Sequence, residues 1–354
     1  PSGALTSDNP YWISRIEPSH FAAGMAYVAV DGHRSDDLKP YIFVTRDYGK
    51  TFTSVGQTLP ARGNVQVVRE DPKNKNLLYA GTEFGMFISL DAGQKWEPFM
   101  NGFPTVRTDD IFVHPRDGDL IVATHGRSIW IADDITSLQQ WTPAVAAADA
   151  TLFDVRAAVA YANDITLDVY TGGEKQFEGE NPARGTAIQF YVKPGTMGEA
   201  RLTISDAAGR ALCSSTVASP SGLQRVQWNM GTPMLTPAAA AGNAGANAGG
   251  TAGGAPGGGG RGGAGRGGAG TPPDSTFRGA TAAATGTPAA AIPVAAAPVG
   301  NAAAQSCSGA SGGGGRGGAG ATAAPGSYIV KLTVGGKEYL KSVQVLEDRW
   351  MNVR

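Results

Sequence analysis

Long apolar runs are missing from these 354 residues: nothing approaches the ~18 consecutive apolar positions of a membrane-spanning helix. Net charge is scarce too. The 29 Lys and Arg against 30 Asp and Glu leave −1, so no overall field gathers nucleic acid or an acidic membrane surface. Helical periodicity is almost missing from residues 10–135. No Gly-x-Ser-x-Gly elbow, Walker loop or dinucleotide fingerprint occurs, which removes the motif grounds for serine-hydrolase, NTPase or nicotinamide chemistry. His20, His33, His114 and His125 lack H-x-x-x-H or Cys/His spacing, so no metal site and no cofactor are expected. Asp31, Asp36 and Asp37, and Asp117 with Asp119, gather oxygens without a full calcium-loop pattern and read as solvated turns. Pro1-Ser2-Gly3-Ala4 has neither a charged nor an apolar leader region, as expected of a processed fragment or a chain whose targeting signal was removed.

Cysteine is limited to Cys213 and Cys307. In a reducing compartment they are two thiols; in an oxidising one they are a candidate disulfide that would pin a glycine-rich tract to a strand.

What is present is a succession of short Val/Ile/Phe/Tyr-rich runs bounded by Gly, Pro, Asn or Asp. Strands are predicted at 25–30, 41–45, 65–70, 77–82, 86–90, 111–114, 120–124 and 129–132. Within them, Thr45-Arg46-Asp47-Tyr48-Gly49-Lys50-Thr51-Phe52 aligns with Ser89-Leu90-Asp91-Ala92-Gly93-Gln94-Lys95-Trp96. The two aspartates are 44 positions apart. A degenerate third copy, Ile131-Ala132-Asp133-Asp134, follows after 42 more and lacks the glycine and the aromatic. Glu17-Pro18, Asp71-Pro72 and His114-Pro115 recur in phase, each closing an early strand. A period in the low forties with four strands per unit is the length of one propeller blade.

This pattern resembles the Asp-box, the bacterial neuraminidase repeat of sialidases and sortilin-type propellers. The chemistry of the motif is local. The Asp47 and Asp91 carboxylates accept backbone N–H groups and fix a hairpin between third and fourth strands. Gly49 and Gly93 take a backbone angle closed to other residues, and Phe52 and Trp96 pack under the turn. These six residues are expected to be structural.

Further along, strands are predicted at 188–192, 200–205, 211–217 and 224–228, and Leu152-Phe153 and Ile165–Tyr170 are candidate crossing strands. Residues 236–324 are Ala, Gly, Thr and Pro, with too little apolar surface to offset ordering entropy. Pro325-Gly326 then opens a hairpin around Gly335-Gly336. Strands before the tract are too few to stand alone, as is the hairpin after it, so the tract is expected to interrupt one sandwich. Asp206–Gly209, Gln224–Trp228 and Pro325–Leu332 resemble the flagellar-hook-capping-type immunoglobulin-like domain that follows the propeller in secreted bacterial sortilin-like proteins. The expected fold class is therefore all-β: about three propeller blades over 1–140, a connector over 141–182, and an Ig-like β-sandwich from 183–235 and 325–348, interrupted by a low-complexity insertion over 236–324.

The sialidase resemblance implies a tyrosine nucleophile, a carboxylate and an arginine cluster. Arg15, Arg46, Arg62, Arg69, Arg107, Arg116 and Arg127 show no spacing that groups three with Tyr and Glu, and read as surface and turn arginines. His125-Gly126-Arg127-Ser128-Ile129-Trp130 is the most unusual string. His125, Arg127 and Trp130 are a candidate binding loop, or else shape a hairpin. Arg261, Arg266 and Arg316 sit in sparse Arg-Gly-Gly steps without aromatics and read as spacer rather than a nucleic-acid grip. The expectation is a periplasmic or secreted, non-catalytic binding or scaffolding protein, with other protein subunits as partners and no nucleic acid. An accessory subunit attached peripherally to a membrane complex, respiratory or photosynthetic, fits this reading. The alternatives are a sialidase-type glycoside hydrolase and a carbohydrate- or peptide-binding module.

Overall fold

The computed structural model describes residues 11–161, 182–196, 198–218, 220–231, 305–307 and 322–349. The chain divides into two compact units, Pro1–Met234 with Ile292–Arg354, and Leu235–Ala291. The second, together with Ile165–Tyr170, Arg261, Arg266 and Arg316, lies outside the described residues.

The first sheet is an antiparallel meander of β1 (Trp12–Pro18), β2 (Ala26–Asp31), β3 (Tyr41–Thr45) and β4 (Thr53–Ser54). The second repeats it with β5 (Val65–Glu70), β6 (Leu78–Thr82), β7 (Gly85–Ser89) and β8 (Glu97–Pro98). The third has β9 (Thr108–Val113), β10 (Leu120–Thr124) and β11 (Ile129–Ala132). Each prolyl step stands where a first strand ends, because proline has no N–H to continue the ladder.

The sheets stack as blades, with β5 beside both β1 and β9. Tyr27, Ala29, Ile42 and Val44 of the first pack on Val68, Leu78, Ala80 and Phe87 of the second. The second sheet's other face, Tyr79, Met86 and Ile88, packs on Ile111, Leu120 and Val122 of the third. Buried from both sides, β6 and β7 are buried at every position. Each fully buried large side chain here contributes roughly 1.5–3 kcal/mol relative to exposure. The architecture is the expected all-β one with about three blades.

The third blade departs from the four-strand expectation. Asp134 takes a left-handed φ of 57°, as Tyr48 and Ala92 do at the same step (61° and 58°), but Ile135 follows it where the other two turns have Gly49 and Gly93. The Asp134 carboxylate accepts from Thr136 N (3.2 Å) and Thr136 Oγ1 (2.6 Å), and the chain enters a short helix, α1 (Thr136–Gln139). Among the described residues no fourth strand follows.

After a second helix, α2 (Pro143–Ala147), two sheets face each other. One is β12 (Ala150–Leu152), β14 (Thr186–Val192), β17 (Gly222–Trp228) and β18 (Gln305–Cys307), in that order. The other, built from β13 (Ala158–Ala160), β15 (Ala200–Ser205), β16 (Ala211–Val217), β19 (Gly326–Val334) and β20 (Lys337–Glu347), is ordered β13-β20-β19-β15-β16. They share one core, with Ile188, Phe190 and Trp228 against Leu202, Val330 and Leu332. Strands from before and after the glycine-rich tract thus belong to one sandwich. Two boundaries differ from expectation. Residues 150–160 of the expected connector supply β12 and β13, because Ala150, Leu152 and Ala158 are buried in the sandwich core. Residues 305–307 of the expected unstructured tract pair in parallel with β17, which would otherwise be an open edge.

Cys213, on β16, is disulfide-bonded, and Cys307, the chain's other cysteine, ends β18. Cys213→Ser should therefore lower unfolding stability in denaturant, without reductant, by about 2–4 kcal/mol. Reductant should reproduce the loss in the parent chain and leave the variant unchanged.

Candidate functional site

A meander sends its first and third turns to one end of the blade and its second turn to the other. The β3–β4 and β7–β8 turns hold the matching aspartates. Asp47 Oδ1 accepts from Thr51 N (2.9 Å) and Thr45 Oγ1 (3.0 Å), and Oδ2 from Thr51 Oγ1 (2.7 Å). Asp91 Oδ1 accepts from Lys95 N (2.9 Å) and Ser89 Oγ (2.7 Å). Gly49 N and Gly93 N donate to Thr45 Oγ1 and Ser89 Oγ at 2.9 and 2.8 Å. Both glycines have left-handed φ, 83° and 89°, which a β-carbon disfavours. The Thr51 hydroxyl and backbone N–H hold the Asp47 carboxyl below its ordinary range. Both carboxylates are thus bonded into their own turns.

The two aromatics differ. Phe52 packs beside Val28 and Phe43 of its own blade. Trp96 reaches backward: its indole donates to Val55 O (2.7 Å) and its N–H to Thr58 Oγ1 (2.9 Å), both in the link leaving the first blade. The second turn thereby fastens two blades.

At the opposite end stands His125–Ser128, between β10 and β11. His125 N donates to Arg107 O (2.9 Å), and the His125 ring lies 3.1 Å from Asp109 Oδ2. The Trp130 indole donates to Arg127 O (2.9 Å) and its ring meets Phe103 edge-on at 5.6 Å. His125 and Trp130 are thus tied into the hairpin and its neighbours, while the Arg127 side chain is exposed.

Between the ends, a charge cluster joins the three first strands. Arg69 donates to Glu17 Oε2 (2.7 Å), Asp110 Oδ1 (3.0 Å) and Ile111 O (2.7 Å), and Arg15 also reaches Asp110 Oδ1. Burial disfavours the Arg69 charge, but Glu17 and then Asp110 outweigh it and raise its pKa. Arg15 and Arg69 are therefore not the surface arginines expected from spacing. Their carboxylate partners come from other blades, a long-range relation that spacing cannot show. The one local sign is a charge at an inward position of β5, Val65-Gln66-Val67-Val68-Arg69.

Beside this cluster lie Glu70 and Tyr27. Burial raises the Glu70 pKa, and the carboxylate accepts from His20 N (2.6 Å) and Ser19 Oγ (3.1 Å). Tyr27 is 0% exposed, and burial, then the Glu70 charge, pushes its pKa up to about 12. Among the described residues no trio of His, Cys, Asp and Glu is placed to hold a metal ion, and no helix is long and apolar enough to cross a membrane.

Where the third blade meets the sandwich, Arg156 pairs with Asp119 Oδ1 (2.7 Å) and donates to Asp117 O (3.0 Å). Arg225 donates to Asp133 O (2.8 Å) and Gln189 to Asp134 O (2.7 Å). Trp141 and Tyr191 meet edge-on at 5.0 Å beneath them. Burial, then Asp119, raises the Asp133 pKa. The degenerate third copy is thus the blade's fastening to the sandwich.

No protein-family profile and no curated protein matches the chain. Among solved structures it is similar to an ancestral GH74 enzyme (20% identity, TM-score 0.27, 32% of this chain and 14% of that one). It is similar to the GH74 xyloglucanase from Xanthomonas campestris (15%, 0.28, 61% and 38%) and to YCF48 bound to D1 peptide (12%, 0.26, 38% and 38%). The chain spans well under half the length of each.

Two outcomes test the site. Arg69→Ala strands Glu17 and should cost about 3 kcal/mol in denaturant unfolding, with a smaller added loss when Glu17→Gln accompanies it. The depressed Asp47 pKa gives stability that is present above the unfolded value, about pH 3.9, and lost as pH falls through the folded one. Asp47→Asn should flatten that acid limb, read as the difference in unfolding midpoint between neutral and acid pH.

Proposed function

We propose that the chain is a non-catalytic binding or scaffolding module that acts outside the cytoplasm by docking onto other protein subunits. Peripheral attachment to the periplasmic face of a membrane complex fits the same reading. The observation that carries it is the uncovered outer face of the third blade, where Phe112, Ile129 and Ile131 are 51, 64 and 50% exposed. Their partners across the strands are one another's neighbours: Phe112 and Ile131 both stand opposite Ile121. An exposed contiguous apolar face of this kind marks an interaction site. The disulfide-bonded Cys213 supports an oxidising compartment. The paired aspartate turns and the sandwich support kinship with secreted Asp-box proteins that carry an Ig-like domain.

The glycoside-hydrolase alternative draws on the sialidase resemblance, and xyloglucan is the natural second substrate to try. It is disfavoured by the buried Tyr27 and Glu70 beside the Arg15–Arg69 cluster. A tyrosine nucleophile must be reachable and activated. Tyr27 is sealed between two blades, and its pKa moves the wrong way. Incubation with a chromogenic sialoside and with xyloglucan should release no product above buffer. Turnover that disappears in Tyr27→Phe would replace the scaffolding reading with the enzymatic one. Binding to a glycan array that is lost on removing the sandwich would move it to a carbohydrate-binding module.

A further inference from the structure

The first two blades end in a short fourth strand, and the third does not. In the first, Val55 N donates to Ile42 O at 2.8 Å; in the second, Phe99 N donates to Met86 O at 2.8 Å. Each bond uses an outward carbonyl of the blade's third strand. In the third blade Thr124 N donates to Ser128 O, which sets the alternation of the β10–β11 ladder. Trp130 and Ala132 then direct N–H and C=O inward to β10, while Ile129 and Ile131 direct theirs outward. Among the described residues no bond reaches those outward groups. The side chains of the same two residues are the exposed ones.

We infer that the outer edge of β11 is a docking edge for an extended segment of a partner protein, which adds as the missing fourth strand of the third blade. This rests on the partner-binding reading and names the partner's chemistry. A strand is the occupant that the fold itself specifies, since strands fill the same place in the other two blades. It supplies backbone donors and acceptors at every second residue, matching the spacing of Ile129 and Ile131. Alternate apolar side chains on the segment cover Ile129 and Ile131. Antiparallel addition, the sense of β4 and β8, brings the segment's C-terminal end beside the exposed Arg127. The edge therefore favours a short segment, alternating apolar and polar, with a carboxylate at its C-terminal end.

The test uses the full chain in three measurements. Hydrogen exchange reads the Ile129 and Ile131 amides in the free protein; both should exchange fast. A displayed library of twelve-residue peptides is then selected on the protein, and the best synthetic peptide is titrated. It should show the alternating pattern, slow both amides, and bind about tenfold more weakly to Ile131→Pro, which deletes one outward N–H without touching the inner ladder. Ile129→Lys, a surface change that keeps every backbone group, guards against misfolding of the proline variant and should weaken binding similarly. Ile16→Lys, on the first blade, should leave binding unchanged. Amides already protected in a monomer mean that the chain fills its own edge. Protection with a dimer that Ile131→Pro dissociates means that a second copy fills it. Selected peptides indifferent to both β11 variants, or no selected peptide at all, place docking elsewhere. Each of these overturns the inference while leaving the scaffolding reading, which falls on turnover, intact.

Discussion

A sheet that is apolar on both faces has to be covered on both, and this requirement organises the blades. The second blade satisfies it completely, lying between two neighbours. The first covers its outer face in part with its own side chains: Tyr11, Tyr41 and Phe52 close over Val28, Val30 and Phe43. The tyrosine hydroxyls of that cover do not float free, since Tyr11 and Tyr41 both donate to Asp37 Oδ2, at 2.8 and 2.7 Å. The third blade has no such arrangement over Phe112, Ile129 and Ile131. Aromatic packing thus covers Val28, Val30 and Phe43 on one side of the fan, where Trp12, Ile13 and Ile16 are still exposed, and covers nothing of Phe112, Ile129 and Ile131 on the other.

Apolar stacking alone fixes distance better than it fixes register, because dispersion is non-directional. Register comes from polar fasteners set into the stack. Arg69 binds two carboxylates from two other blades and a backbone carbonyl, a geometry that a slipped blade cannot reproduce. Trp96 adds a second directional tie at the outer rim. A planar guanidinium with a fixed fork suits this task better than a lysine. The same inward charges explain why a tyrosine and a glutamate sit close together here: Tyr27 and Glu70 flank a fastener, and burial pushes both toward their neutral forms.

How far the sequence discloses this depends on the range of each interaction. The runs 41–45, 65–70, 120–124, 129–132, 200–205 and 211–217 are strands with the predicted limits, because alternation and turn residues are local signals. The pairing of two aspartate turns is legible for the same reason. Glu17-Pro18 marked the end of β1, but its span was not legible: Trp12-Ile13-Ser14-Arg15-Ile16-Glu17 carries two charges that turn inward toward other blades. β4 and β8 are two residues each, below any periodicity. The Arg69 cluster draws on residues 41 and 52 positions away, and β13 pairs with β20 across most of the second half of the chain. Such relations exist only once the topology is known.

The third unit shows how one local change propagates. Without a glycine after its aspartates, the chain does not make the hairpin that would lead to a fourth strand. With Ile135 in place of that glycine, it runs on into α1. That helix buries Ser137 and Gln139: Ser137 meets Gln189 of the sandwich, and Gln139 donates to Asp71 Oδ2 (3.0 Å), which also takes the Tyr79 hydroxyl (3.0 Å). The residues that would have completed the blade now clamp the sandwich to it. Losing the fourth strand and gaining a hydrogen-bonded sandwich attachment are therefore one structural event. The open β11 edge is its direct consequence, held in place by the same contacts that prevented its completion.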